Sequence, residues 1–169
     1  MKRVARIITL VALLLWACSD ATNRADSATD QPNESNSMTH PVRIITISID
    51  TSPDAVYQFA SNPENFPKWV DFVESITRDG DLWIGKTKMG DIKIRFCPIN
   101  KVGVLDHEVT LPNGQTVLNP MRVVPNNDGS QFTFILFWMP GRPEKEFNED
   151  AEAVRKDLQN LKEILERSR

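Results

Sequence analysis

The sequence predicts an α+β domain in which a curved antiparallel sheet wraps around one long C-terminal helix. The helix is predicted over residues 143–168, where apolar residues recur at alternating spacings of four and three and form a single stripe. Residues 42–138 alternate between short β-branched or aromatic runs and turn signals rich in Gly, Pro, Asn and Asp. Because one amphipathic helix cannot bury its stripe alone, the strands must enclose it.

The stripe of the long helix consists of Phe147, Ala151, Val154, Leu158, Leu161 and Leu165. Pro143 suits a first helical turn, and Glu144 and Glu146 lie where the helix dipole favours negative charge. At about 1.5 Å per residue, the helix would be roughly 39 Å long. Leu158 is expected to lie mid-stripe, where the helix comes closest to the sheet.

Seven strands and two short helices are predicted upstream of that helix. The first strand, residues 42–50, leads into Ser52 and Pro53, an N-cap and first-turn pair that opens a short helix. A second helical turn is predicted over residues 64–69. The other strands are predicted over residues 73–78, 82–88, 92–97, 102–111, 116–124 and 131–138.

The first 17 residues have the features of a bacterial signal peptide. Lys2, Arg3 and Arg6 precede an apolar run of about eleven residues, and roughly twenty are needed to cross a bilayer. Residues 15–18, Leu-Trp-Ala-Cys, are similar to a lipobox. That similarity implies that Cys18 becomes the lipidated first residue of the mature protein. The alternative is an ordinary cleaved signal peptide in which Cys18 is incidental.

Residues 18–41 are predicted to be a lipidated cysteine followed by a disordered tether. Residues 19–40 contain no aromatic residue, and one Met is the only large apolar side chain, so burial cannot offset the ordering entropy. The folded domain, residues 42–169, is therefore expected at the cell envelope on the periplasmic side. Ser19 favours the outer membrane in a Gram-negative host, whereas translation from Met38 would give a cytosolic form.

Charge and composition exclude several functional classes. The net charge is −3, and without the three leader cations 17 basic side chains face 23 acidic ones, a charge of −6. With no aromatic-basic cluster either, no nucleic-acid partner is expected. Cys18 and Cys97 are not expected to pair, because one belongs to the leader. No metal-ligand spacing and no phosphate-binding glycine loop occur, so neither metal nor cofactor is predicted.

The order of strand, two short helices, six strands and long helix resembles the SRPBCC superfamily. Its helix-grip fold is shared by Bet v 1-like, START and polyketide cyclase proteins. The resemblance covers about residues 42–167 and is carried by residues 52–56, 62–69, 103–107, 123–126 and 128–130. It implies a sheet gripping the terminal helix around an apolar cavity. It does not imply one activity, because the superfamily includes transporters, cyclases, binders and regulators.

His107 is the one histidine of the predicted domain. Alternation along its strand places it on the apolar face with Leu105 and Val109, whereas Asp106 faces the opposite way. A buried imidazole could orient a ligand carbonyl or act as a general base. The alternative is a core histidine that hydrogen-bonds a backbone carbonyl.

Large apolar side chains suggest where a ligand would bind. Such sites are built mainly from large apolar groups with few polar ones. The candidate ligand-binding residues are Trp69, Trp83, Phe96, His107, Met121, Phe134 and Leu158. The alternative for each is core packing. Cys97, between Phe96 and Pro98, is interpreted as an inert core thiol.

These patterns favour a membrane-tethered protein that binds a small hydrophobic or amphipathic ligand in the grip. One alternative is a cyclase- or isomerase-type enzyme that uses His107 in a dry pocket. Another is a structural or partner-binding lipoprotein whose grip is filled by its own side chains.

Overall fold

The long helix lies against a curved antiparallel sheet in the computed structural model, which describes residues 38–167. The elements are β1 (Val42–Ile49), α1 (Pro53–Ala60), a 3-10 turn (Pro63–Asn65), α2 (Phe66–Trp69), β2 (Ser75–Asp79), β3 (Leu82–Thr87), β4 (Gly90–Phe96), β5 (His107–Thr110), β6 (Thr116–Asn119), β7 (Met121–Asn126), β8 (Gly129–Phe137) and α3 (Glu144–Arg167). The predicted helix-grip architecture is confirmed. The signal peptide, Cys18 and nearly all of the tether lie outside the described residues.

The strands form two hydrogen-bonded groups, with the orders β1-β8-β7 and β2-β3-β4-β5-β6, and all neighbouring pairs are antiparallel. The segment before β5 joins the two groups. There the Leu105 N–H donates to the Met121 carbonyl at 3.0 Å, and the Val123 N–H donates to the Gly103 carbonyl at 2.9 Å. Gly103 has a φ of +71°, and a Cβ there would lie 2.0 Å from the Val123 carbonyl oxygen. Glycine is therefore required where the two groups meet.

Two strand predictions were wrong, and residues 38–167 contain eight strands instead of about seven. The predicted strand 102–111 forms a regular ladder only from His107 onward, because the preceding residues follow β7 instead of β4. The predicted strand 116–124 divides at Pro120, which has no N–H to continue a ladder. β6 on one side pairs with β5, and β7 on the other side pairs with β8.

The short helices after β1 form as the sequence predicts. The Ser52 hydroxyl accepts the Ala55 N–H at 3.4 Å, and Pro53 occupies the first turn of α1. α2 packs its buried aromatic residues, Phe66 and Trp69, into the same core as the sheet. These contacts close one side of the grip.

The stripe of α3 is the main contact between the helix and the sheet. Its buried residues are Phe147, Ala151, Leu158, Leu161 and Leu165, and Val154 is half-buried against the same core. Near the end of α3, Lys162 Nζ donates to the Ser48 carbonyl of β1 at 2.7 Å. Near its start, the Trp138 ring stacks on Phe147 with 5.1 Å between centroids. No helix within residues 38–167 has the length and apolar character needed to cross a membrane.

Candidate functional site

Four aromatic rings meet inside the grip, where α2 faces the ends of β4 and β5. The Phe66 centroid lies 5.2 Å from that of Trp69, 5.4 Å from that of Phe96 and 5.4 Å from that of His107, all edge-on. Edge-to-face packing is favourable for aromatic rings. Three of the predicted ligand-binding residues, Trp69, Phe96 and His107, are thus brought together by Phe66. We call these four residues the aromatic cluster.

Trp69 contributes an unsatisfied polar group to the aromatic cluster. Its side chain is only 3% exposed, and its Nε1–H has no acceptor among the described residues. A buried donor without a partner costs about 1 to 3 kcal/mol, and such groups are rare in native interiors. The indole therefore presents an available hydrogen-bond donor inside apolar surroundings.

His107 is 4% exposed and is held by two neighbours. Its Nδ1 lies 3.5 Å from the Leu105 carbonyl oxygen, and its Nε2 lies 3.3 Å from Asn119 Nδ2. Burial lowers the pKa of His107 to about 4, outweighing the Leu105 carbonyl and the Asp106 charge, which raise it. The imidazole is thus neutral near pH 7. Both contacts are satisfied when Nδ1 carries the proton, and Nε2 then accepts from Asn119.

Asp106 does not face the His107 ring. Its carboxylate forms an ion pair with Arg122 and accepts the Met121 N–H at 2.9 Å. Asp106 is thus paired with Arg122, and His107 Nε2 is hydrogen-bonded to Asn119. These surroundings are more typical of a core histidine than of a general base. Among residues 38–167, no group of three or more His, Cys, Asp or Glu side chains could hold a metal ion.

The other predicted ligand-binding residues belong to the surrounding core. Met121 and Phe134 are cross-strand partners on β7 and β8, and Leu158 contacts the same core from α3. Trp83 is half-buried on the inward side of β3, opposite Ile94. Their role in binding stays a prediction. Phe66 was not among the predicted ligand-binding residues, although its spacing of three from Trp69 places both rings on one side of a helical turn.

Cys97 lies half-buried beside the aromatic cluster. Its Sγ lies 3.5 Å from the Val104 carbonyl oxygen, and burial raises the pKa of the thiol, with Asp106 contributing in the same direction. A protonated thiol is a poor nucleophile. A gap of about 10 Å³ next to Cys97 and Phe96 has room for at most one water.

A larger cleft, of about 350 Å³, opens between the α2–β2 loop, the β3–β4 hairpin and α3. It is lined by Asp71, Phe72, Glu74, Thr87, Lys88, Met89, Ala153, Lys156 and Asp157. We call this the α3 cleft. The cleft was not predicted from the sequence, because its three walls are far apart along the chain.

Residues 45–167 match the family of polyketide cyclase / dehydrase and lipid transport proteins. The match covers most of the sequence, and the chain belongs to this family. The description of the family indicates a fold used for small hydrophobic ligands. No curated protein is detectably similar to the chain in sequence.

Solved structures show the same fold. A conserved protein from Geobacillus kaustophilus has a TM-score of 0.63 at 13% identity, over 76% of this chain and 97% of that one. A START superfamily protein from Mycobacterium smegmatis has a TM-score of 0.59 at 11% identity, over 76% and 99%. The Aha1 dimer from Colwellia psychrerythraea has a TM-score of 0.58 at 15% identity, over 74% and 96%. The resemblance to the SRPBCC superfamily is confirmed at the level of fold.

Proposed function

We propose that the chain is a membrane-tethered binding protein for a small hydrophobic or amphipathic molecule held in the grip beside Trp69. The observation that carries this proposal is the buried Trp69 Nε1–H without an acceptor. A ligand with an apolar body and one carbonyl, ether or hydroxyl oxygen would satisfy that donor. Phe66 and Phe132, whose rings lie 5.2 and 6.4 Å from that of Trp69, would contact the apolar body.

Ligand entry requires the interior to rearrange. Pockets for drug-sized molecules measure about 300 to 1,000 Å³, whereas the gap beside Phe96 measures about 10 Å³. Met121, fully buried in the core, is unbranched and adapts its shape readily. A small ligand that displaces only a few side chains therefore suits this interior better than a large one.

The enzyme alternative has less support than binding. A general base needs a free nitrogen within reach of the substrate, and His107 Nε2 already accepts from Asn119. The filled interior favours the other alternative, a structural or partner-binding lipoprotein. That alternative predicts that the purified protein retains no small molecule.

Replacement of Trp69 by Phe is expected to weaken ligand binding by roughly two- to tenfold, the worth of one hydrogen bond. An aromatic ring that can pack against Phe66 is kept, whereas the N–H is lost together with the five-membered ring of the indole. Native mass spectrometry of the purified protein would detect the retained molecule, and titration with an anilinonaphthalene dye would give relative affinities.

The matched control is Trp138→Phe, because Trp138 Nε1 already donates to the Arg142 carbonyl at 2.8 Å. This control should keep the dye affinity of the wild type. Two results together would favour a structural or partner-binding lipoprotein whose grip is filled by its own side chains. The wild type would retain no small molecule, and wild type, Trp69→Phe and Trp138→Phe would bind the dye with equal affinity.

The membrane tether is supported by the leader sequence. Cys18→Ser is expected to abolish incorporation of a palmitate analogue and to move the protein from the membrane fraction to the soluble fraction. The wild type should be labelled and membrane-bound. Equal labelling of the two proteins would remove the proposed lipid anchor.

A further inference from the structure

The α3 cleft combines apolar walls with charged groups. Phe72 from the α2–β2 loop and Met89 from the β3–β4 hairpin are large apolar side chains that remain 44% and 70% exposed. Ala153 adds an apolar surface from α3. At about 350 Å³, the cleft falls within the usual size of small-molecule sites.

The charges of the α3 cleft do not all compensate one another. Lys156 Nζ lies 2.7 Å from Asp71 Oδ2, so these two residues form their own ion pair. Glu74 and Lys88 carry opposite charges and both line the cleft. Asp157 accepts the Asp71 N–H at 2.9 Å. The cleft is thus lined by three carboxylates and two ammonium groups, so one negative charge is in excess, and Asp157 is the half-buried one of the three carboxylates.

The surroundings of Asp157 favour the arrival of a cation. The side chain is half-buried, and burial raises its pKa to about 6, while the Asp71 charge acts in the same direction. The Asp71 N–H and Lys156 lower the pKa but do not outweigh burial. A cation next to a desolvated carboxylate stabilises its charged form.

We propose that the α3 cleft binds an organic cation, in which an ammonium group pairs with Asp157 and an attached apolar chain or ring contacts Phe72 and Met89. A carboxylate ligand would be repelled by Asp157 and by the excess negative charge of the lining, and a neutral one would leave that excess in place. This site is separate from the Trp69 region of the grip and does not depend on the function proposed for it.

Three matched probes test the proposal on the full chain: 2-phenylethylammonium, 2-phenylethanol and phenylacetate. They share an aromatic group and differ in charge. Their affinities can be measured from backbone amide shifts in NMR titrations. The ammonium probe is expected to bind at least tenfold more tightly than the alcohol and to shift the amides of Asp71, Ala153 and Asp157. Phenylacetate should not bind.

Two variants assign the contacts. Asp157→Asn keeps an acceptor for the Asp71 N–H and removes the charge, and it should reduce ammonium binding to the level of the alcohol. Met89→Ser changes an exposed side chain and should weaken the ammonium and alcohol probes several-fold alike. Glu163→Gln removes an equal charge from α3 outside the cleft and should bind as the wild type does.

The pH dependence gives an independent test. Protonation of Asp157 removes the charge that the ammonium pairs with, so affinity should fall below about pH 6 in the wild type and stay level in Asp157→Asn. The neighbouring charged groups are Asp71, Glu74, Lys88 and Lys156, and both proteins keep them. Equal binding of ammonium and alcohol, or unchanged ammonium binding in Asp157→Asn, would overturn the proposal. Trp69→Phe should leave these titrations unchanged.

Discussion

Leu158→Ala is expected to lower the free energy of unfolding by about 2 to 5 kcal/mol, the range for large-to-small substitutions in a packed interior. Leu158 is 1% exposed and lies mid-stripe on α3, where it contacts the single core formed by the helices and the sheet. Truncation removes buried methyl groups and leaves a cavity that the surrounding residues fill only partly. Urea unfolding followed by tryptophan fluorescence would show a lower midpoint at an unchanged slope.

The matched control is Gln159→Ala, one residue further along α3, because Gln159 is exposed. Its effect should stay within about 0.5 kcal/mol, as for most surface positions. If a ligand can enter next to Leu158, an apolar dye should restore part of the stability lost in Leu158→Ala. A cost below about 0.5 kcal/mol for Leu158→Ala would mean that α3 does not bury this face, and the helix-grip packing would be wrong.

Acidification is expected to destabilise the protein through His107. In the folded state burial lowers the pKa of His107 from 6.5 to about 4, so the unfolded chain takes up the proton first. The stability that the neutral imidazole contributes is complete above pH 6.5 and is lost as the pH falls to 4. At 1.36 kcal/mol per pKa unit, the loss amounts to about 3 kcal/mol.

Asp157 opposes this trend over part of the same range. Its pKa is raised from 3.8 to about 6, so the folded state binds its proton first and gains stability as the pH falls from 6 towards 3.8. The contribution of His107 is therefore measured as the difference between wild type and His107→Gln, in which the effect of Asp157 cancels. Urea unfolding at pH 7, 5.5 and 4.5 should show this difference in unfolding free energy narrowing by about 2 kcal/mol over that range.

His40→Gln provides the control for histidine replacement, because His40 is exposed before β1. Its unfolding free energy should follow that of the wild type at all three pH values. A constant difference between wild type and His107→Gln would show that His107 titrates normally and is not buried as a neutral group.

The architecture could be predicted because its signals are local. The N-cap at Ser52, the stripe of α3 and the turn signals between the strands each depend on residues within a few positions of one another. The two failed strand predictions have different causes. Residues 103–105 turn towards β7, which nearby sequence does not decide. Pro120 is a local break inside the predicted strand 116–124, and only the different partners of the two resulting strands are non-local.

The candidate site could also be predicted only in part, namely in those features that depend on nearby residues. Alternation alone placed His107 on the inward face, but its contact with Asn119 depends on the pairing of β5 with β6. The missing acceptor of Trp69 Nε1 could not be predicted, because an unsatisfied group is defined by every element around it. Asp157 lies beside the apolar stripe of α3, where the sequence alone indicates a solvent-exposed charge. Its contact with the Asp71 N–H of the α2–β2 loop depends on tertiary packing and could not be predicted.

The most direct test of ligand binding beside Trp69 is the indole N–H spectrum of protein labelled with ¹⁵N-tryptophan. The chain has four tryptophans, and the resonance missing from Trp69→Phe identifies Trp69. Spectra would be compared before and after extraction of bound lipids with organic solvent. We expect the Trp69 resonance to shift downfield when the ligand is present, because its N–H then donates a hydrogen bond, while the Trp138 resonance stays in place. An identical Trp69 resonance in both spectra, with no molecule recovered in the extract, would contradict ligand binding in the grip.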